Sequence, residues 1–289
     1  MKNKTIYRKN GRPDLLYDAY DLTLNQWKVP VESLFVKTRF GRTHILVAGP
    51  SQGEPLLLFH GFAFSATMWG ENVQALSERY RVFAVDFIGD VNKSEMKVTI
   101  NNAKDCVDWF SEILDRLGLH RVHIGGHSYG GFVAMLLASD IPERIDKLLV
   151  LSPGGGFQPQ SKIFFLKCLI IGAFPSTPRI EKFMNHMTGK GNTINRTLKD
   201  QFIVAMQQAL PRNRLYATNM SDEVLSRISA PMLLLIGDQD IQYNPELAVQ
   251  RAKKIIPTID AHVVPNAGHG LPLEQPVLVN KMMIDFLRK

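Results

Sequence analysis

Cysteine is scarce in this chain of 289 residues, which has only Cys106 and Cys168. The two lie far apart and form no CxxC or metal-ligand spacing. The sequence therefore predicts neither a disulfide scaffold nor a metal site, and both residues are expected to be ordinary buried thiols of a reducing compartment.

Long apolar runs are also missing. The most apolar window, IFFLKCLIIGAF at 163–174, has about half the length that a membrane-spanning helix needs and contains Lys167. The first twenty residues are polar and lack the apolar core of a signal peptide. We therefore expect no membrane span and a cytoplasmic protein.

The formal net charge of +7 does not by itself indicate a nucleic-acid partner. Five basic residues fall within the first twelve positions, and the others are spread along the chain without regularly spaced aromatic residues. This distribution favours a solvated basic surface with a mobile leader, assigned to residues 1–33, and predicts no nucleic-acid binding.

Short apolar runs alternate with helical stretches from residue 34 onward. This alternation predicts an α/β fold whose mostly parallel sheet of about eight strands is flanked by helices. Residues 154–227 interrupt the alternation and are predicted to be an insertion between two parts of the core, 34–153 and 228–289. The helices predicted in the core lie near 67–79, 101–117, 129–140, 244–256 and 274–288.

The segment IGGHSYGGF, residues 124–132, places four glycines around one serine. A phosphate-binding loop requires a lysine where Gly131 stands, so phosphate binding is not expected. The segment instead contains GxSxG between a predicted strand and a predicted helix. Gly126 and Gly130 relieve the crowding of such a turn and let the hydroxyl project from the sheet edge, which predicts Ser128 as a nucleophile.

A serine nucleophile needs a base, and the base needs an acid that orients it. His269, in the loop NAGHGLPLEQP after the last predicted strand, is the histidine best placed as the base. LLLIGDQD offers two acids, of which we favour Asp240 over Asp238, because Asp238 directly follows the strand and closes the turn. The resulting order of serine, acid and histidine differs from the orders of the two large serine protease families.

Attack on a carbonyl creates an oxyanion that needs preorganised donors. The HGF turn after the strand PLLLF and the start of the helix after the serine predict the backbone N–H groups of Phe62 and Tyr129 as these donors. His60 is expected to be a structural residue of its loop, and Asp86 to organise the turn after its strand.

Together these motifs resemble those of the α/β-hydrolase family, and the resemblance extends from about Leu34 to the end of the chain. One departure is DFIGDVNKS, where related enzymes usually read D-x-x-G-x-G-x-S, so Asp90 and Asn92 replace the usual residues. The segments WKVPVESLFVKTRFGRTHILVAGP and FSATMW further resemble carboxylesterases that hydrolyse naproxen esters.

The resemblance implies a helical cap over residues 154–227, which would cover the serine and select the shape of the substrate. It implies no cofactor and no metal. An apolar acyl pocket is expected beneath the cap. The predicted lining of that pocket is Phe64, Met68, Phe157, Phe164, Phe165 and Met187.

The leading hypothesis is a cofactor-independent serine esterase that acts on a small-molecule ester. A serine at position 128 excludes the aspartate nucleophile of dehalogenases and epoxide hydrolases that share this fold. Lipases, lactonases, perhydrolases and carbon–carbon bond hydrolases share the triad and remain alternatives. A sensor or partner-binding protein that holds a small hydrophobic ligand is a further alternative, because a fold does not determine a function.

Overall fold

The computed structural model describes residues 5–289, which form one sheet of nine strands. The strands are β1 (Glu32–Thr38), β2 (Gly41–Ala48), β3 (Pro55–Phe59), β4 (Arg81–Val85), β5 (Glu95–Met96), β6 (Val122–His127), β7 (Ile145–Leu151), β8 (Met232–Gly237) and β9 (Asp260–Val264). Their spatial order is β1-β2-β4-β3-β6-β7-β8-β9, and the short β5 pairs with β2.

The described residues also form eleven α-helices. They are α1 (Pro13–Leu24), α2 (Gly70–Ser77), α3 (Ala103–Leu117), α4 (Tyr129–Asp140), α5 (Lys162–Ala173), α6 (Thr177–Met187), α7 (Arg196–Gln208), α8 (Asp222–Ser226), α9 (Pro245–Ile255), α10 (Leu271–Glu274) and α11 (Pro276–Leu287). Four of them, α5 to α8, lie between β7 and β8 in the chain, within the predicted insertion.

The sheet is antiparallel from β1 through β2 to β4 and parallel from β4 through to β9. The predicted α/β architecture with a mostly parallel sheet is therefore confirmed. Parallel strands end at the same edge of a sheet, so the loops that follow β3, β6, β8 and β9 are brought together at one edge.

Hydrophobic side chains fill both faces of the sheet. Along β3 the side chains alternate, because successive residues of a strand point to opposite faces. Leu57 and Phe59 pack with Trp109 of α3 on one face, whereas Leu56 and Leu58 pack with α2 and α11 on the other. The sheet is thus a rigid support for the loops at its edges.

The prediction of a mobile leader is wrong for residues 13–24, which form helix α1. Leu16, Tyr20 and Thr23 are buried in the described structure. Their spacing of four and three residues places them on one side of the helix, which packs against α7. The N–H of Arg12 also donates to the side chain of Gln208 at 2.9 Å. Burial of this apolar side fixes the segment against the insertion.

Within residues 5–289, no helix combines the length and the apolar character that crossing a membrane requires.

Candidate active site

Ser128 lies at the turn between β6 and α4 and has a backbone φ of 53°, in a region that side chains disfavour. A Cβ added at Gly126 would lie 2.2 Å from the carbonyl carbon of Gly130, and one added at Gly130 would lie 2.2 Å from the carbonyl oxygen of Phe59. The Ser128 carbonyl accepts the N–H of Gly154 at 2.8 Å. The strained conformation is therefore held by close backbone packing.

Three side chains from separate loops form one hydrogen-bonded row. The His269 ring has its Nε2 atom 2.9 Å from Ser128 Oγ and its Nδ1 atom 2.9 Å from Asp240 Oδ2. Because the carboxylate accepts the proton of Nδ1, the lone pair of Nε2 faces the serine hydroxyl. The arrangement can therefore take a proton from Ser128.

The Asp240 carboxylate is fully buried but remains suited to carry a charge. Burial alone would raise its pKa, yet the charge and hydrogen bond of His269 and the N–H of Gln242 outweigh burial and hold the pKa below its ordinary value. That N–H lies 2.8 Å from Asp240 Oδ1. Asp240 can thus orient the ring and stabilise its protonated form.

Asp238, the other candidate acid, is exposed and makes no hydrogen bond to His269 in the described structure. Its carboxylate accepts the N–H of Ala267 at 3.1 Å. It therefore links the turn after β8 to the histidine loop.

The histidine loop is anchored through its backbone to two other parts of the chain. The His269 N–H donates to the carbonyl of Met187, at the end of α6, at 2.8 Å. The His269 carbonyl accepts the Nε2–H of His127 at 2.7 Å. Burial, followed by the nearby His269, lowers the pKa of His127 to about 3, so this ring stays neutral and serves as a support.

Gln242 is a site residue that the sequence analysis missed. Its side-chain nitrogen lies 2.8 Å from His269 Nε2, the same atom that faces Ser128. Its side-chain oxygen accepts the amide of Gln160, in the predicted insertion, at 3.0 Å. A neutral imidazole has one lone pair at Nε2, so the serine hydroxyl and the Gln242 amide share one acceptor.

The predicted oxyanion donors come from two turns close to the serine, and a Cβ added at Gly61, next to Phe62, would lie 3.5 Å from Ser128 Cβ. Tyr129 is the first residue of α4, and Phe62 lies in the turn after β3. In the described structure neither backbone N–H donates to another residue. His60 donates from Nδ1 to the carbonyl of Gly61 at 2.8 Å and accepts the N–H of Phe87 at Nε2 at 2.9 Å. It thus stabilises the turn, and the oxyanion roles stay predictions.

Asp86, at the end of β4, is fully buried and supports the same turn. It accepts the N–H of Ala66 at 2.7 Å and lies 2.8 Å from Nδ1 of the buried His44. Burial would raise the pKa of Asp86, but the hydrogen bond and charge of His44 outweigh burial and lower it. The residue is a buried structural carboxylate.

Asp90 lies in DFIGDVNKS, the segment that differs from the usual family motif. Its carboxyl is buried beside the turn that contains Phe62. It accepts the N–H of Val91 at 2.7 Å and of Ala63 at 3.3 Å. Burial raises its pKa to about 6, although the nearby His60 counteracts this effect. Ala63 has a φ of 59°, so Asp90 holds a strained residue of that turn.

The six residues predicted to line the pocket do not form one group, and their exposure ranges from fully buried to exposed. Phe164 is nearly buried, with its ring 6.0 Å from the His269 ring. Phe64 stacks on Phe202 at 4.6 Å. The others are Met68 and Phe157, which are packed in the core on opposite faces of the sheet, Met187, which is buried within the insertion, and Phe165, which is exposed. The lining of the pocket stays a prediction.

Residues 5–289 contain no group of three or more His, Cys, Asp or Glu side chains positioned to hold a metal ion.

Comparison with known proteins gives matches over most of the chain. Residues 56–282 match the model of the alpha/beta hydrolase family. Two relatives from Bacillus subtilis are each 34% identical, namely the uncharacterized carboxylesterase nap and carboxylesterase YbfK. The first alignment covers 93% of this chain and 91% of the relative, and the second covers 94% and 93%.

A solved structure shows that the likeness extends to the fold. The crystal structure of naproxen esterase (carboxylesterase NP) from Bacillus subtilis superimposes with a TM-score of 0.90 at 34% identity. The match covers 95% of this chain and 97% of the other. The predicted fold class is confirmed.

The close contact at the serine turn leads to a first prediction. Gly126→Ala should lower the free energy of unfolding by about 3 kcal/mol, because the new Cβ would overlap the backbone of Gly130. Gly172→Ala, in α5, is the matched control, because a Cβ there meets no atom within 4 Å. It should stabilise the protein by up to about 1 kcal/mol. Equal effects in denaturant unfolding would contradict the proposed crowding.

The buried carboxyl of Asp90 leads to a second prediction. Since its pKa rises from 3.8 to about 6 on folding, the native state binds a proton more tightly than the unfolded state does. Ionisation then costs stability as pH rises through this range. The free energy of unfolding of the wild type, relative to that of Asp90→Asn, should fall by about 2 kcal/mol between pH 4 and pH 7. A difference independent of pH would show that Asp90 is not perturbed.

Proposed function

Because this chain belongs to the alpha/beta hydrolase family, we propose that it is a serine hydrolase that cleaves carboxylic esters, with Ser128 as its nucleophile. The observation that carries this proposal is the position of His269, 2.9 Å from both the Ser128 hydroxyl and the Asp240 carboxylate. Relatives that are 34% identical over nearly the whole chain are named carboxylesterases, which supports esters as the substrate class.

Acylation begins with the serine hydroxyl. His269 accepts its proton at Nε2 while the oxygen attacks the ester carbonyl, and Asp240 stabilises the resulting imidazolium. The backbone N–H groups of Phe62 and Tyr129 bind the oxyanion. Neither N–H donates to another of the residues that the structure describes, so both are available for this role. His269 then returns the proton to the departing alcohol, which leaves an acyl group on Ser128.

Deacylation uses the same groups in reverse. Water enters, His269 removes a proton from it, and the hydroxide attacks the acyl carbonyl. The bond between the acyl carbon and Ser128 Oγ then breaks, His269 returns the proton to Oγ, and the carboxylic acid leaves. The Gln242 amide lies beside the Nε2 atom that handles both protons and is placed to bind the attacking water or the departing alcohol oxygen. Its link to Gln160 connects this position to the insertion.

The insertion over residues 154–227 is assigned as a cap that covers the nucleophile. The contact of Phe164 with the His269 ring and the hydrogen bond from His269 to Met187 support this assignment. An apolar acyl group is the expected substrate portion, because the cap residues nearest the imidazole are apolar. A cytoplasmic location and the absence of a nucleic-acid partner remain predictions.

Hydrolysis of short-chain p-nitrophenyl esters tests the proposal. Ser128→Ala should abolish turnover, and Asp240→Asn should lower kcat/KM by about 10³- to 10⁴-fold, because the imidazole loses its orienting carboxylate. Asp238→Asn is the matched control, since it makes the same change on the same loop. It should alter kcat/KM by less than about threefold.

Two results would contradict the assignment. A larger loss of kcat/KM in Asp238→Asn than in Asp240→Asn would show that Asp238, and not Asp240, is the acid that orients His269. Trace turnover by a folded wild type that nevertheless binds a small hydrophobic ligand tightly would favour the sensor alternative.

A further inference from the structure

Helix α5 carries a continuous exposed apolar surface. In the described structure, six of the sixteen exposed large apolar side chains lie in residues 163–174, and each of the six keeps between 43% and 67% of its accessible surface. Single exposed apolar residues are ordinary, but a concentrated group indicates an interaction surface. We call this group the outer face of α5, and it consists of Ile163, Phe165, Leu166, Leu169, Ile170 and Phe174.

The opposite side of the same helix is already occupied. Phe164 and Ile171 are buried, and Phe164 packs on Phe183 at 5.8 Å and on the His269 ring at 6.0 Å. The helix is therefore apolar on nearly all sides, a composition typical of helices buried in protein or lipid. Among the described residues, 5–289, only one side of α5 is covered.

The segment that carries the outer face has charged residues of one sign only. No Asp or Glu occurs between Asp146 and Glu181. Lys162 is exposed at the start of α5, and Lys167 is half-buried at the edge of the face. Arg179 donates to the carbonyl of Phe174 at 3.2 Å.

A further cation stands at the same end of the helix. Arg8 donates to the carbonyl of Gly172 at 2.7 Å. The apolar face is thus bordered by positive charge at both ends.

We propose that the outer face of α5 docks on an anionic lipid surface. With its inner side held by the protein, α5 can lie in the plane of the interface, with the apolar side chains of its outer face among the acyl chains and the lysines and arginines at its ends among the headgroups. Burial of the apolar side chains and attraction of the cations to negative headgroups then both favour binding. These two contributions correspond to the apolar side chains of the face and to the positive charges at its ends.

A second copy of this chain is a poorer partner for the same face. Pairing two outer faces would place the lysines of both copies in one contact, and the segment supplies no carboxylate to neutralise them. Like charges in a shared contact oppose association. The missing negative charge must come from the partner, as it does in an anionic bilayer.

Docking would also have a consequence for the candidate site. The outer face and the Phe164 contact to His269 lie on opposite sides of one helix. A docked α5 therefore places the site directly behind a lipid surface, where apolar esters accumulate. This consequence depends on the proposed esterase function, whereas docking itself does not.

Sedimentation of the full chain with vesicles tests docking without measuring activity. The wild type should bind vesicles of mixed phosphatidylglycerol and phosphatidylcholine but not pure phosphatidylcholine. Lys162→Gln with Lys167→Gln should weaken binding by about 30-fold, since each lysine near an anionic surface contributes about fivefold. Leu166→Glu with Leu169→Glu should weaken it by at least about tenfold, because charge replaces apolar burial.

The control is Leu247→Glu with Val277→Glu, which adds the same charge at exposed apolar residues of α9 and α11. It should retain binding to within about threefold, and circular dichroism should show that every variant is folded. Docking on lipid is wrong if the wild type does not bind anionic vesicles or if the control loses as much binding as the α5 variants. It is also wrong if the wild type does not bind vesicles but forms a dimer in sedimentation equilibrium, and the double variant Leu166→Glu with Leu169→Glu is a monomer. That result would identify a second copy of this chain as the partner of the outer face.

Discussion

The close approach of two backbone segments around Ser128 is the constraint on which the site depends. A side chain at Gly126 or Gly130 would occupy the space of the facing backbone, so only glycine allows the turn to form. This turn holds Ser128 at a disfavoured φ of 53° and presents its hydroxyl at the end of β6. Close backbone packing thus holds Ser128 in its strained conformation and keeps the hydroxyl in one position.

The other groups of the site are positioned by the same sheet. Asp240 and His269 come from the loops after β8 and β9, which end at the edge where β6 ends. Hydrogen bonds from His127 and to Met187 then hold the histidine backbone between the core and the insertion. The distances between Ser128, His269 and Asp240 therefore depend on the position of the insertion relative to the sheet. A shift of the insertion would move the His269 imidazole through the hydrogen bond to Met187.

The sequence predicts well those features that local patterns specify. The parallel core strands follow from apolar runs. The short motifs after those runs single out Ser128, Asp240 and His269, whose side chains the structure brings into contact, and their catalytic roles stay predictions. The buried side of α1 and the contact of Gln242 with His269 were not predictable in this way, because both depend on residues distant in the chain. Asp90 was recognisable as a departure from a motif, but its burial and its bond to Ala63 required the fold.

The most direct test of the central claim is the stoichiometry of labelling by a fluorophosphonate. This reagent phosphonylates a serine hydroxyl that a neighbouring base activates, and peptide mass spectrometry locates the modified residue. We expect one label per chain on Ser128 and much slower labelling in Asp240→Asn, whose imidazole has lost its carboxylate. No labelling of the folded wild type, or a label on another residue, would contradict this expectation.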